Sequence, residues 1–305
     1  MNYDAVLEGG GVKIAGLVGA LAGIETQGFE PSHMAGTSAG AIVAALRTAG
    51  YDPDEMRVIL LETNFKEFLD GSFLNALPYK LFTQKGLYKG DYFYNWIKEK
   101  LSAKGVSTFR DLRFASDDPK YRWRLKVIAS DITSGKMLVF PDDAMLYNIE
   151  PDNLEVAFAI RMSMSIPYYF KPVVLDGHYI VDGGLLSNFP IWMFDDTSTP
   201  AWPTFGILLD EGDATQDHVI TGAISYITAM INTMLSARDR QFIHPSDFKY
   251  RTILAPSGEI GTTNFAITSN EKESLYHGGL KAALEFFVGW NFESYVAWAN
   301  EKRGV

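Results

Sequence analysis

The run Ala5-Val6-Leu7 passes through Glu8 and three successive glycines, Gly9, Gly10 and Gly11, straight into a helical pattern whose apolar face is Ile14, Leu17, Leu21 and Ile24. No linker separates the two. A strand that turns directly into a helix has to pack that helix back on its own sheet, which points to α/β layering. Glycines let the chain turn tightly and leave bare N–H groups at a helix N-terminus, where an anion or a developing oxyanion is stabilised. A tight turn without a ligand uses the same residues, so the loop alone leaves both roles open.

The construction recurs twice. Gly36-Thr37-Ser38-Ala39-Gly40 follows a short strand-like run, His33–Ala35, and precedes a helix over Ala41–Ala49 that Gly50 ends. This is a nucleophile-elbow pattern, in which small flanking residues allow a strained turn that lifts the Ser38 hydroxyl toward the head of a helix. Val181-Asp182-Gly183-Gly184 follows the run Tyr179–Val181 and puts an acid at a sheet terminus, although Asp-Gly is also an ordinary turn dipeptide. Carboxyl ends of parallel strands are where α/β sheets build sites, so the three turns should converge on one edge.

Taken together, these residues identify a likeness. The sequence resembles the patatin-like phospholipases, whose hallmarks are a GGGxR/K loop, a GxSxG elbow and a DG[GA] turn. The resemblance spans most of residues 3 to 190 and includes Ser163-Met164-Ser165-Ile166-Pro167, Phe170-Lys171-Pro172-Val173, Asn188-Phe189-Pro190 and Gly86-Leu87-Tyr88-Lys89-Gly90-Asp91. It implies Ser38 as nucleophile, Asp182 as its sole partner, and oxyanion-hole amides from Gly9, Gly10, Gly11 and Val12. Lys13, Gly36, Gly40, Gly183 and Gly184 support the motifs. The chain departs from the family pattern at Ile14, where many members have glycine; here glycine returns at Gly16. Beyond about residue 210 no family-specific motif is visible.

Composition narrows the remaining classes. Lys plus Arg number 27 against 37 Asp plus Glu, a formal charge of −10, which opposes a sequence-independent grip on nucleic-acid phosphates or strongly anionic bilayers. There is no cysteine, so thiolate nucleophiles, disulfides and cysteine-held metals are excluded. A dinucleotide loop fits poorly, because Ile14 stands where G-x-G-x-x-G expects its last glycine, and no Gly-Lys-Ser or Gly-Lys-Thr follows for a Walker loop. An α/β-hydrolase triad of Ser38, Asp182 and one of His218, His244 or His277 keeps the order Ser, Asp, His and stays open. A malonyl-type acyltransferase would need a marked histidine and arginine. A non-catalytic binding or signalling protein on the same fold would have little use for both Ser38 and Asp182.

The resulting expectation is a three-layer α/β/α sandwich with a central, mostly parallel sheet, a single domain over residues 1–305, and a lipid acyl hydrolase acting on phospholipids or related lipids at a membrane or micelle surface. No metal or organic cofactor and no nucleic-acid partner are expected. The N-terminus lacks the pattern of a secretion signal and reads as cytoplasmic, peripheral to membrane. Strand-like runs at Leu125–Ala129, Phe205–Leu209 and Arg251–Leu254 complete the sheet. Asp52-Pro53-Asp54-Glu55 reads as a capped helix start, and Asn270 with Glu273 repeats that logic. Val219 to Ala237 is uncharged, but Ile220, Ile224, Ile227, Ile231 and Leu235 face a polar stripe, which makes it a half-buried helix rather than a membrane span. In the aromatic segment, Phe93, Ile97 and Leu101 read as core. For Phe65 to Phe82, including Phe73 and Leu74, core and a mobile, lipid-facing cover over the site both remain open.

Overall fold

Unbroken burial along the central strands shows that both faces of the sheet are covered. In the computed structural model Ala5, Leu7, Met34, Val127 and Ala129 enter one large core, while Val6, Ala35 and Ile128 enter a second cluster with Phe189, Ile191 and Phe194. Successive residues point to opposite faces, and here both faces are apolar, which is why these strands read as unbroken hydrophobic runs. The structure describes residues 1–71, 83, 85–116, 118–196, 198–210, 220, 226, 229–230, 233 and 245–303.

The strands are β1 (Asn2–Leu7), β2 (Glu30–Thr37), β3 (Gly86–Tyr88), β4 (Leu125–Asp131), β5 (Lys136–Phe140), β6 (Tyr168–Phe170), β7 (Val173–Leu175), β8 (His178–Asp182), β9 (Thr204–Asp210) and β10 (Thr252–Pro256). The main sheet runs β10-β9-β1-β2-β4-β8-β7, with β5 also paired to β4. The pairs among β10, β9, β1, β2 and β4 are parallel; β5, β8 and β7 join antiparallel. β3 and β6 form a small parallel pair of their own. The helices are α1 (Ile14–Glu25), α2 (Ala39–Thr48), α3 (Pro53–Glu62), α4 (Asp91–Ala103), α5 (Val156–Ser163), α6 (Pro245–Tyr250), α7 (Ser269–Phe286) and α8 (Phe292–Arg303). The mixed α/β architecture with a mostly parallel central sheet is the one expected from the sequence.

Three local expectations change. The periodicity of α1 marks one apolar face, yet every residue from Ile14 to Ile24 is buried, because α7 covers the side turned away from the sheet. The second capping box belongs to Thr268 and Glu271 rather than to Asn270 and Glu273: Thr268 Oγ1 accepts the Glu271 N–H and Glu271 Oε2 accepts the Thr268 N–H. The helix starts two residues earlier, which leaves Glu273 to pair with Arg57 of α3 at 2.7 Å. The Asp52–Glu55 box is formed as read. Phe65 and Phe68 are buried core, with Lys272 Nζ 4.2 Å from the Phe65 ring centre, so this end of the aromatic segment is no cover. Phe73, Leu74, Leu77, Tyr79, Leu81 and Phe82 lie outside the described residues, as does most of Val219–Ala237. Phe93, Ile97 and Leu101 are buried. Among the described residues no helix is long and apolar enough to cross a membrane.

The α1–α7 contact is made backbone to backbone. A Cβ on Gly279 would stand 2.0 Å from Gly16 O, whereas one on the neighbouring Gly278 would meet only ordinary contacts at 3.8 Å or more. The two glycines should therefore respond oppositely. Gly278→Ala should stabilise by up to about 1 kcal/mol through helix propensity, and Gly279→Ala should destabilise by about 1–3 kcal/mol through overpacking. Urea unfolding of the two variants checks this, and equal effects would mean that the close approach does not exist.

Candidate active site

The site begins with an exchange of partners along one edge of β4. Val127 and Ile128 pair with β5 on one side and with β2 on the other, and Thr37 is the partner of Ile128. Ala129, Ser130 and Asp131 keep β5 but pair with β8, and Asp182 is the partner of Ala129. A strand has only two edges, so β8 takes up the edge where β2 leaves it. Ser38, the residue after Thr37, and Asp182, the last residue of β8, therefore meet end to end.

Ser38 sits at φ 51°, a left-handed conformation that a residue with a side chain adopts only under constraint, at a cost of about 1–3 kcal/mol. The turn is possible because its flanks have no side chains. A Cβ on Gly36 would lie 2.3 Å from the Gly40 backbone, and one on Gly40 would lie 2.3 Å from Leu7 O. The Ser38 N–H donates to Ser163 Oγ at 2.8 Å, and the Ser38 hydroxyl donates to Met164 Sδ at 3.2 Å.

Asp182 is buried. Its Oδ1 accepts the Gly184 N–H at 2.8 Å, and its own N–H donates to Ser165 O at 3.0 Å. Among the described residues Oδ2 is buried with no partner in hydrogen-bond geometry. Burial pushes the carboxyl pKa up to about 6; the Ser38 hydroxyl nearby and the Gly184 N–H pull in the other direction without cancelling it. The Ser38 hydroxyl thus lies between two acceptors, the Asp182 carboxyl and Met164 Sδ, with the sulfur in hydrogen-bond geometry.

The glycine loop lies where β1 ends and is clamped from several sides. Asn188 Nδ2 donates to Glu8 Oε1 and to Gly9 O, both at 3.1 Å, and Glu8 Oε2 accepts the Leu209 N–H at 2.7 Å. The Gly9 N–H is taken by Asn188 O and the Val12 N–H by Thr262 O. The N–H groups of Gly10 and Gly11 have no such backbone partner among the described residues. Gly11 has φ +55°, and a Cβ there would stand 2.1 Å from Thr262 O, so a side chain is excluded by conformation and by space. Lys13 is buried at the end of the short turn Gly11–Lys13. Ser163, Met164, Glu8, Leu209 and Thr262 received no role from sequence; Ser163 and Met164 stood inside a recognised stretch, but nothing in their spacing said what they touch.

Histidines are placed elsewhere. His33 Nδ1 lies 3.1 Å from Asp4 Oδ1, His178 Nδ1 lies 2.8 Å from Asp131 Oδ2, and exposed His277 lies 3.7 Å from Glu273. None of these three bonds Ser38 or Asp182; His218 and His244 lie outside the described residues. No group of three or more His, Asp or Glu among the described residues could hold a metal ion.

A mostly parallel α/β sheet whose glycine loop, elbow serine and buried acid lie at neighbouring strand ends is an arrangement that α/β enzymes use for their sites. The sequence matches the family described as "Patatin-like phospholipase" over residues 5–195, and the chain belongs to that family; lipid acyl hydrolysis is its general class of activity. The Bacillus subtilis "Uncharacterized protein YqhO" is 37% identical over 303 residues, covering 96% of this chain and 100% of that protein. A protein of Invertebrate iridescent virus 6, "Probable lipid hydrolase 463L", is 28% identical over 192 residues, 61% of each. Among solved structures, VipD from Legionella pneumophila superposes with a TM-score of 0.57 at 18% identity, over 93% of this chain and 66% of that one. ExoU of the Pseudomonas aeruginosa type III secretion system, in complex with SpcU, gives 0.52 at 15% identity, over 94% and 52%. These two likenesses concern the fold.

Burial of Asp182 has a consequence for stability. With the folded pKa near 6 and the ordinary value at 3.8, the folded state holds this proton more tightly than the unfolded chain. Stability from this group is therefore complete below about pH 4 and is lost as pH rises to about 6, a penalty of up to about 3 kcal/mol at neutral pH. Asp182→Asn should be more stable than the wild type at pH 7, with the advantage fading by pH 4. Urea unfolding of both proteins across that range checks it, and a difference independent of pH would contradict the shifted carboxyl.

Proposed function

We propose that the protein hydrolyses carboxylic ester bonds of phospholipids or related lipids, taken from a membrane or micelle surface, through an acyl-enzyme on Ser38. The observation that carries this is the meeting of Ser38, on its strained turn, with the unpartnered Oδ2 of Asp182 at one edge of β4. Ser38 Oγ attacks the ester carbonyl carbon as its proton passes to Asp182 Oδ2, and the carbonyl oxygen becomes an oxyanion. The C–O bond to the leaving alcohol breaks, and Asp182 returns the proton to that oxygen. Water then gives a proton to Asp182 and attacks the acyl carbon, and the fatty acid leaves as Ser38 regains its proton. The N–H groups of Gly10 and Gly11 are assigned to the oxyanion, because those of Gly9 and Val12 are already engaged. This scheme uses no metal or organic cofactor. Since β9 and β10 lie in the same sheet as the strands carrying the motifs, residues 1–305 are taken as one hydrolase unit.

Incubation with defined phospholipids, followed by mass spectrometry of the products, tests the substrate class; good turnover of a soluble non-lipid ester alone would remove the lipid from this scheme. A fluorophosphonate should place one label per chain on Ser38, and Ser38→Ala and Asp182→Asn should lose activity. Because the base acts ionised, kcat/KM should fall as pH drops through about 6. Replacing any one of the five histidines by Ala should cost less than about tenfold, well below the contribution of a general base. An inactive but folded histidine variant alongside an active Asp182→Asn would replace the pair by a triad.

The oxyanion assignment has its own check. Gly11→Ala keeps the N–H but must shift the loop away from Thr262 O, so the amide leaves its place and kcat should fall by about 100-fold or more, as when an oxyanion donor is lost. Normal turnover in a folded Gly11→Ala would move the oxyanion site elsewhere.

A further inference from the structure

The three residues that follow Met162 touch both members of the pair. Ser163 Oγ accepts the Ser38 N–H at 2.8 Å and donates to Ile128 O at 2.6 Å, and Ser165 O accepts the Asp182 N–H at 3.0 Å. Between them stands Met164, buried, whose Sδ accepts the Ser38 hydroxyl at 3.2 Å. A carboxylate is a far stronger acceptor than a thioether. Yet among the described residues Asp182 Oδ2 is buried with no partner in hydrogen-bond geometry, while the hydroxyl beside it bonds sulfur. Hydrogen-bond strength alone does not select that arrangement. Packing holds it: the elbow and Ser163 fix the Ser38 backbone, and burial fixes Met164.

We propose that Met164 is a positioning residue for the nucleophile, a second acceptor that holds the Ser38 hydroxyl away from Asp182. This rests on the Ser38–Asp182 mechanism. Proton transfer requires the hydroxyl to turn from sulfur to Oδ2, and Met164 sets how often it does. The groups that act on the carboxylate are few: Ser38 from the β2–α2 turn and Gly184 N–H from its own turn. The charged groups on neighbouring elements are engaged elsewhere, Asp131 of β4 with His178 of β8, and Arg161 of α5 with Ser165 Oγ at 2.5 Å. A change in the titration of Asp182 on altering Met164 would thus report the hydroxyl.

Two substitutions of similar size separate positioning from packing. Met164→Leu removes the acceptor with little change of volume, and Met164→Gln supplies a stronger one. In the Leu variant the hydroxyl has only Asp182 to bond, which favours the charged carboxylate, so the acidic limb of kcat/KM should move down by about one pH unit. Fluorophosphonate labelling of Ser38 should accelerate by about two- to tenfold, the worth of one hydrogen bond. In the Gln variant labelling should slow and the limb should not move down. Thermal melting confirms that each variant is folded. Equal slowing in both, or wild-type limbs and labelling rates in both, would overturn the role of Met164 while Ser38→Ala and Asp182→Asn remain inactive. Activity surviving in those last two variants would instead remove the mechanism itself, and this role with it.

Discussion

The edge of β4 that passes from β2 to β8 is the constraint on which the site depends. A strand edge offers one set of N–H and C=O groups at each position, so two strands can share it only in succession. β2 runs parallel to β4 and ends at Thr37; β8 runs antiparallel and ends at Asp182 one position further on. Their ends are thereby pressed together. Asp182 is itself paired with Ala129 and Ser38 follows directly on the paired Thr37, which ties both to the sheet more closely than a loop-borne site would be.

The elbow needs support from outside itself. Its positive φ persists because glycines at 36 and 40 let the turn sit against β1 and because Ser163, distant in sequence, takes up the Ser38 N–H. The glycine loop depends in the same way on Asn188, Leu209 and Thr262. Two of those lie beyond residue 195, where the family match ends. The C-terminal part of the chain thus completes the loop's surroundings, although it carries no motif, because its contribution is made largely through backbone groups.

Asp182 shows the same tension between fold and chemistry. Its burial works against ionisation and costs stability at neutral pH, while the unmatched Oδ2 leaves an acceptor ready for a proton. A fully hydrogen-bonded carboxylate there would be more comfortable and a weaker base. Asp131, which accepts from Ser134, Tyr147 and His178, is held well below the usual carboxylate range and illustrates that alternative on the neighbouring strand.

Sequence alone carried the strand–turn–helix order, the unbroken apolar runs of the buried strands, the Asp52–Glu55 cap and the three turns with Ser38 and Asp182, since each is written in residues close together along the chain. It marked one apolar face of α1 and had no sign that α7 would bury the other, and it put the second cap at Asn270 because either Thr268 or Asn270 satisfies the local rule. Only the tertiary structure decided that Ser38 and Asp182 share an edge, that among the described residues the amides of Gly9 and Val12 have backbone partners while those of Gly10 and Gly11 have none, and that Met164 Sδ accepts a hydrogen bond from the Ser38 hydroxyl. Those facts depend on which distant carbonyl, hydroxyl or sulfur arrives at each donor, and the pairing is settled by packing over separations of more than a hundred residues, where local pattern has no purchase.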